Sequence, residues 1–318
     1  MKTSNTISAI IVCATTLLAA ESCQRRPLTT ADNNVLVNIT IDKDIINHEV
    51  KENPELMRTA FFHDKNGNFA THTFLPHNGG NVNIIPRKDY DMVTYNFGTR
   101  NTFIEGEYEY QSLFATTNEV SESYKSKLKS RSTSNAEELI VFEPDHLFTG
   151  KTQDIYIPAR GVDSPPVIID VTAQTVVQSW IIYFKTIHGQ QYIGSIAGVI
   201  SGLSKGCNLA GPTKSDEPVS VFFEAMKLDK DGLLEIRFNT FGAIPQDKQV
   251  MSLVITDIAG QGHEFNVDIT KQFKDNKEQI IRIETDITIE KPETKPGTGG
   301  GLAPEVDNWE NIETDIII

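Results

Sequence analysis

Alternation dominates the apolar positions of this chain. In VLVNITI, Val35, Val37, Ile39 and Ile41 fall on one side while Leu36, Asn38 and Thr40 fall on the other, which is the period-two pattern of a strand with one buried face. The same period recurs in MVTYNF, YEYQSLF and DIYI, and in FFHDKNGNF the pair Asn66-Gly67 separates two apolar runs as a hairpin turn does. Further on, VIIDVT, VVQSWIIYFK, VSVFFEA and VMSLVITD are rich in β-branched and aromatic residues, and LDKDGLLEIRF carries Asp231-Gly232 as a second turn signal. The clearest case is IIRIETDITIE, where Ile281, Ile283, Ile287 and Ile289 share one face and Arg282, Glu284, Asp286 and Thr288 the other. No long window holds a 3.6-residue period. The best helical candidate is the short SIAGVISGLSKG, weakened by Gly198 and Gly202. Strands do not alternate with amphipathic helices, so the pattern predicts an all-β chain of two tandem antiparallel β-sandwich domains.

Breaks in the pattern divide the chain. Residues 1–22 read as a signal peptide: Lys2 gives a cationic start and Ile7 to Ala20 an apolar run of 14 residues, too short to cross a bilayer core of about 30 Å as a helix. Residues 23–163 form the predicted N-terminal domain, interrupted by the polar SESYKSKLKSRSTSNAEE, a long exposed loop. Pro158, Gly161, Pro165 and Pro166 stiffen the segment where a boundary is expected, and residues 164–290 form the C-terminal domain. Residues 291–318 are a Pro/Gly-rich spacer and a terminal strand.

Composition narrows the function. With 43 acidic against 29 basic residues and a formal net charge of −14, nothing draws the chain to nucleic-acid phosphates. The three cysteines are Cys13, Cys23 and Cys207. Small residues lead into Cys23 as in the lipobox of bacterial lipoproteins, where the cysteine is acylated and becomes the first mature residue. The other reading is an ordinary signal peptide cut near Ala20, which leaves Cys23 as a free thiol. Lipidation leaves Cys207 unpaired and tethers the chain to a membrane without spanning it.

Candidate chemistry is sparse. GCNLAGPTKS has the Gly206 to Gly211 spacing of a phosphate loop, but Pro212-Thr213 replaces the Gly-Lys pair. DKNGN and DKDG lack the downstream glutamate of a calcium loop. The seven histidines form no His-x-x-x-His pair, although His72 and His77 could approach His63 across a hairpin. No nucleophile elbow is present. The expectation is a protein without catalytic residues, metal or cofactor. Trp180 and Trp309 read either as packing anchors or as sugar-stacking platforms.

Cys23 followed by QRRPL, the stretch SWIIYFKTIHGQQYIGSIAGVISGLSKG in the second domain, FNTFG, FNVDIT and the closing VDNWENIETDI together resemble the Bacteroidales fimbrillin-associated, fimbrial anchor-like cell-surface lipoproteins. That resemblance implies transthyretin-like β-sandwiches, a lipid on Cys23, an outer-membrane and cell-surface location, and fimbrial subunits as partners. It implies no catalytic residue. Assembly in such a pilus works by β-strand addition. Arg25 and Arg26 lie too near Cys23 for cleavage there to free a whole strand, which favours an anchor or accessory subunit over a processed stalk subunit. The competing reading is a surface lipoprotein that binds a glycan or host ligand. In VDNWENIETDIII, Val306, Ile312, Ile316 and Ile318 share a face broken by Asn308, Glu310 and Thr314, with Trp309 and Ile317 opposite. This segment either covers an edge of its own chain or is donated to a neighbour.

Overall fold

A computed structural model describes residues 34–63, 67–122, 138–161, 164–211, 213–224, 227–228 and 233–292. In chain order the strands are β1 (Asn34–Ile41), the short pair β2 (Asp44–Ile45) and β3 (His48–Glu49), β4 (Leu56–His63), β5 (Phe69–Pro76), β6 (Gly79–Asn83), β7 (Lys88–Asn96), β8 (Thr102–Glu105), β9 (Phe114–Thr117), β10 (Leu139–Phe142) and β11 (Phe148–Ile157). They continue as β12 (Val167–Thr175), β13 (Gln178–His188), β14 (Ile193–Ser204), β15 (Gly206–Asn208), β16 (Pro218–Glu224), β17 (Lys227–Leu228), β18 (Leu234–Thr240), β19 (Val250–Asp257), β20 (Gly262–Asp268) and β21 (Ile280–Thr288), with a four-residue helix α1 (Thr270–Phe273) before the last.

The first body is a seven-stranded sheet in the order β5-β4-β7-β11-β12-β1-β6. Its two end strands are neighbours in sequence, joined by a turn at 77–78, so the sheet rolls over and brings its ends near each other, with no ladder between β5 and β6 among the described residues. Gly79 makes that closure possible: it has φ +98°, and a Cβ there would lie 1.9 Å from the Val37 carbonyl oxygen. Inside the roll, Val35 and Val37 of β1 pack with Met57, Phe61, Met92 and Val171, as the alternation of VLVNITI predicts. The hairpin between β4 and β5 passes through Gly67 at φ +62°. Asn66 of that turn, and the Asp231-Gly232 turn before β18, lie outside the described residues.

The second body is a sandwich. A five-stranded sheet, β10-β16-β14-β19-β20, faces a four-stranded one, β17-β18-β13-β21. One core joins them, with Ile200, Val221 and Leu253 from one side against Ile182, Phe238 and Ile283 from the other. Among the described residues most pairs are antiparallel, and three are parallel: β1 with β12, β10 with β16, and β13 with β21.

Two sequence expectations change. The VIIDVT strand, which the proline cluster assigns to the second domain, is β12 of the first sheet, parallel to β1 from Val35↔Val167 to Ile41↔Ala173. Pro165 and Pro166 stiffen a surface loop between β11 and β12 rather than a domain boundary. The passage between the bodies falls at 176–177, and β10 already lies in the second body ahead of it. The helical candidate SIAGVISGLSKG is strand β14. Both its faces are covered, Ile196, Ile200 and Leu203 by the main core and Val199 by a smaller cluster with Val120, Ile140 and Phe222, and burial on both sides erases the period-two signal. Its glycines serve the strand. The Phe223 ring lies where a Cβ of Gly198 would stand, at 2.5 Å, and Gly202 sits at φ +71° where the register with β16 shifts.

Candidate functional site

The two bodies are sewn together by a third, three-stranded sheet, β15-β9-β8. β8 and β9 come from an overhang of the first body, whereas β15 is an excursion from the second. Their register pairs Gly206 with Thr116, Cys207 with Ala115 and Asn208 with Phe114. Any side chain at 206 collides with the seam, since a Cβ there falls 2.1 Å from the Ala115 carbonyl oxygen. A shared cluster fills the space beneath, with Phe62, Val93 and Tyr95 of the first sheet against Leu113, Leu209 and Phe241. Cys207 is buried in this cluster, and burial pushes its thiol up to about 12, so it is an inert packing residue.

The β2–β3 ribbon also reaches across to the second body. Asn47, at its turn with φ +58°, donates from Nδ2 to the carbonyl oxygens of Glu278 at 2.8 Å and Gln279 at 3.1 Å. Beside it opens a cleft of about 550 Å³ whose walls include His48, Asn53, Asn96, Phe97 and His146. His146 lies on the 143–147 segment that crosses between the bodies. Two acids fasten the approach to that crossing: Glu138 accepts from Ser220 Oγ at 3.0 Å and from the Gly202 amide at 3.2 Å, and Glu143 accepts from the Asn239 amide at 2.9 Å. Burial raises both carboxyls above their ordinary range, with those hydrogen bonds pulling the other way.

The overhang also covers part of the outer face of β4 and β7. There the buried Arg58 guanidinium donates to Glu107 and to the Tyr95 hydroxyl, and Tyr95 in turn donates to Glu107 Oε1 at 3.0 Å. Burial raises the Tyr95 phenol, so it stays a neutral donor. Where the overhang stops, a row of rings continues into solvent. Successive centroids of Tyr108, Phe69, His72, Phe74 and Phe97 lie 5.4, 5.6, 5.7 and 5.1 Å apart. Tyr108 is 72% exposed, Phe97 56% and Phe74 43%. Most of this row stands on β5, an eight-residue end strand with no Lys, Arg, Asp or Glu. The end strand β21, by contrast, presents Arg282, Glu284 and Asp286, charges of the kind that deter edge pairing.

The sequence-predicted site residues divide by location. Cys23 and the terminal residues Val306, Trp309, Ile312, Ile316 and Ile318 lie outside the described residues, as does the basic stretch Lys125 to Arg131. Trp180 is 3% exposed and stacks on Phe273 with centroids 4.2 Å apart, so it is a core anchor. His72 belongs to the aromatic row and His63 packs on Tyr90. Among the described residues no three His, Cys, Asp or Glu side chains gather as a metal set, and no helix is long and apolar enough to cross a membrane. The cleft and the ring row escape sequence reading, because their members come together from segments up to about 100 positions apart.

A rolled sheet and a two-sheet sandwich, sewn by a seam of two strands from the first and one from the second, define a two-body all-β protein. Residues 22–224 match DUF5119, described as a domain of unknown function, and the chain belongs to that family. It is 24% identical to a Bacteroides ovatus protein named as a fimbrium anchoring subunit, Fim4B, over 98% of this chain and 99% of that one. A solved structure described as an adhesin from Bacteroides ovatus superposes with a TM-score of 0.60 at 20% identity, covering 86% of this chain and 98% of that chain. The fimbrial anchor protein Mfa2 from Porphyromonas gingivalis gives a TM-score of 0.49 at 11% identity, covering 80% of this chain and 90% of that chain.

Proposed function

We propose that this protein is an anchoring or accessory subunit of a fimbrium, a structural protein without catalysis that is held on the outer membrane by a lipid on Cys23. The observation that carries this reading is co-linearity. The similarity to the anchoring subunit runs through nearly all of both chains, so what they share is the whole two-body organisation rather than one portable sandwich. Partner subunits join by β-strand addition, for which an extended segment and an unguarded sheet edge are the two requirements. Val306, Trp309, Ile312, Ile316 and Ile318 supply the alternating segment, and the charge-free β5 is the edge that suits it. Mass spectrometry of the mature N-terminus tests the anchor: an acylated Cys23 with no downstream cleavage is expected, and a terminus far beyond Cys23 overturns it. Deleting residues 305–318 is expected to leave a stable monomer that no longer co-purifies with fimbrial subunits.

A second reading, a surface protein that binds a glycan, is favoured by one feature, the exposed ring row from Tyr108 to Phe97, since aromatic faces suit the apolar faces of sugars. Glycan-array binding by the wild type that is lost in Phe74→Ala and Phe97→Ala supports it. An array without signal removes it.

A further inference from the structure

The cleft at the junction brings two imidazoles into contact across 98 residues of sequence. His48, on the β2–β3 ribbon of the first body, lies over His146 with ring centroids 3.7 Å apart and planes tilted by 33°. His48 is the outer ring, open to solvent on one side, and His146 the inner one. The inner ring is tied into the second body. His146 Nε2 lies 3.1 Å from Ser179 Oγ of β13, and that hydroxyl donates onward to Asn239 Oδ1 of β18 at 2.8 Å. With the Ser179 hydrogen committed to Asn239, the imidazole is the donor at Nε2, and its Nδ1 faces Thr175 Oγ1 at 3.4 Å. The same ribbon grips the second body again one residue earlier, through the two Asn47 bonds and through Arg237, whose guanidinium donates to the Asn47 carbonyl at 3.4 Å.

We propose that the His48–His146 contact is an acid-sensitive clasp: uncharged, the stacked rings hold the β2–β3 ribbon against the second body, and protonated, they repel each other and release it, freeing the angle between the two bodies. The surrounding charges set the direction. From β18, Arg237 faces His48 and adds repulsion once the ring is charged, although Glu235 pairs with that guanidinium. From the crossing segment, Asp145 attracts a charged His146, but one of its oxygens is already occupied by the amides of Arg100, Asn101 and Thr102 at 2.6–3.0 Å. Glu143 on the same segment is committed to the Asn239 amide. Glu49, Lys51, Glu52 and Glu55 line the open side of the cleft, where water screens them, and Glu278 beyond Asn47 is exposed and faces Arg282 at 4.0 Å. Burial and Arg237 hold His48 below its ordinary value, and burial together with His48 lowers His146 to about 4 against the pull of Asp145. Two rings that resist charging while packed, next to a permanent cation, make acid the opening signal.

Hydrogen exchange of the full mature chain at pH 7.5 and 4.5, corrected for the intrinsic pH dependence of amide exchange, reads the clasp directly. In the wild type, protection of residues 44–49 and 278–281 is expected to fall by roughly tenfold or more at pH 4.5, the change that one unit of altered titration produces. Core peptides spanning 181–184 are expected to keep theirs. H146Q, whose amide still donates to Ser179 and cannot charge, and H48F, which changes only the outer ring, are each expected to retain ribbon protection in acid. Small-angle scattering gives a second readout, a larger radius of gyration at pH 4.5 in the wild type alone. Wild-type protection that persists at pH 4.5, or an equal loss in the wild type and in both variants, overturns the proposal.

Discussion

The two bodies solve the same burial problem differently. The second closes with two sheets face to face, and the outer face of its five-stranded sheet carries a further buried cluster, in which Val120 beside the β10 edge joins Ile140, Val199 and Phe222. The first closes by rolling a single sheet, and its outer face is covered only in part, by the 102–117 overhang and by Leu209, Ala210 and Phe241 of the second body. Tyr108, Phe74 and Phe97 stay in water. A sandwich finishes its own surface, whereas a rolled sheet with a partial cover leaves a long strand, β5, with neither charge nor cap. The difference leaves the exposed ring row on the first body.

The contrast breaks most visibly at the cores. Phe238→Ala in the sandwich and Phe61→Ala in the roll each remove a ring that is no more than 2% exposed, and each is expected to cost about 3–5 kcal/mol in denaturant unfolding. Because β9 and β15 join the bodies, both variants are expected to unfold in one transition. Gly206→Val, which drives a side chain into the Ala115 carbonyl, is expected to split that transition in two and to make Cys207 reactive to iodoacetamide at pH 8, where the native thiol stays protected. One transition and an unreactive Cys207 in that variant would sink the idea of a coupling seam.

A smaller effect is expected under the overhang. Arg58→Met leaves Glu107 and Tyr95 without their cation, and about 3 kcal/mol is the expected loss of stability, as for a broken buried pair. Thermal unfolding measures it, and limited proteolysis within residues 100–112 shows whether the overhang lifts.

Next comes acid. His146 is lowered to about 4 in the folded protein from 6.5, so protons bind the unfolded chain more readily. Its contribution is complete above about pH 6.5 and is lost as pH falls toward 4, at most about 3 kcal/mol. Glu138 and Glu143 act oppositely: burial raises them, so their charged forms strain the fold and protonation relieves it. The urea midpoint is therefore expected to fall between pH 7 and 4.5 in the wild type and to fall less in His146→Gln. The smallest change is at the surface, where Phe74→Ala and Phe97→Ala are each expected to shift stability by no more than about 0.5 kcal/mol, leaving any effect on partner or ligand capture to be read without a folding defect.

Some of this was legible from residue order. VLVNITI and IIRIETDITIE show their burial plainly, because each has one wet face and one dry face, and Trp180 in a β-rich run is the anchor its context suggests. β14 hid its nature because both its faces are covered and its glycines serve a passing ring and a bulge. β12 carried no mark of allegiance, since an alternating strand fits any sheet with an open edge, and only the register with β1 assigns it. His48 and His146 have nothing in common in sequence, and a chain crossing back between two bodies sets one ring on the other.

The sequence by itself determined the all-β class, the strand faces, the spacer with its alternating terminal segment, and the lipobox-like setting of Cys23. These are local properties, fixed by which side chains neighbour one another along the backbone. The tertiary structure alone decided which body each strand serves, that a three-stranded seam sews the bodies together, that β5 is left as an uncharged edge under a row of rings, and that two histidines meet at the junction. Those depend on pairings between distant segments, where many partners satisfy the same alternation and only the closure of both cores selects one.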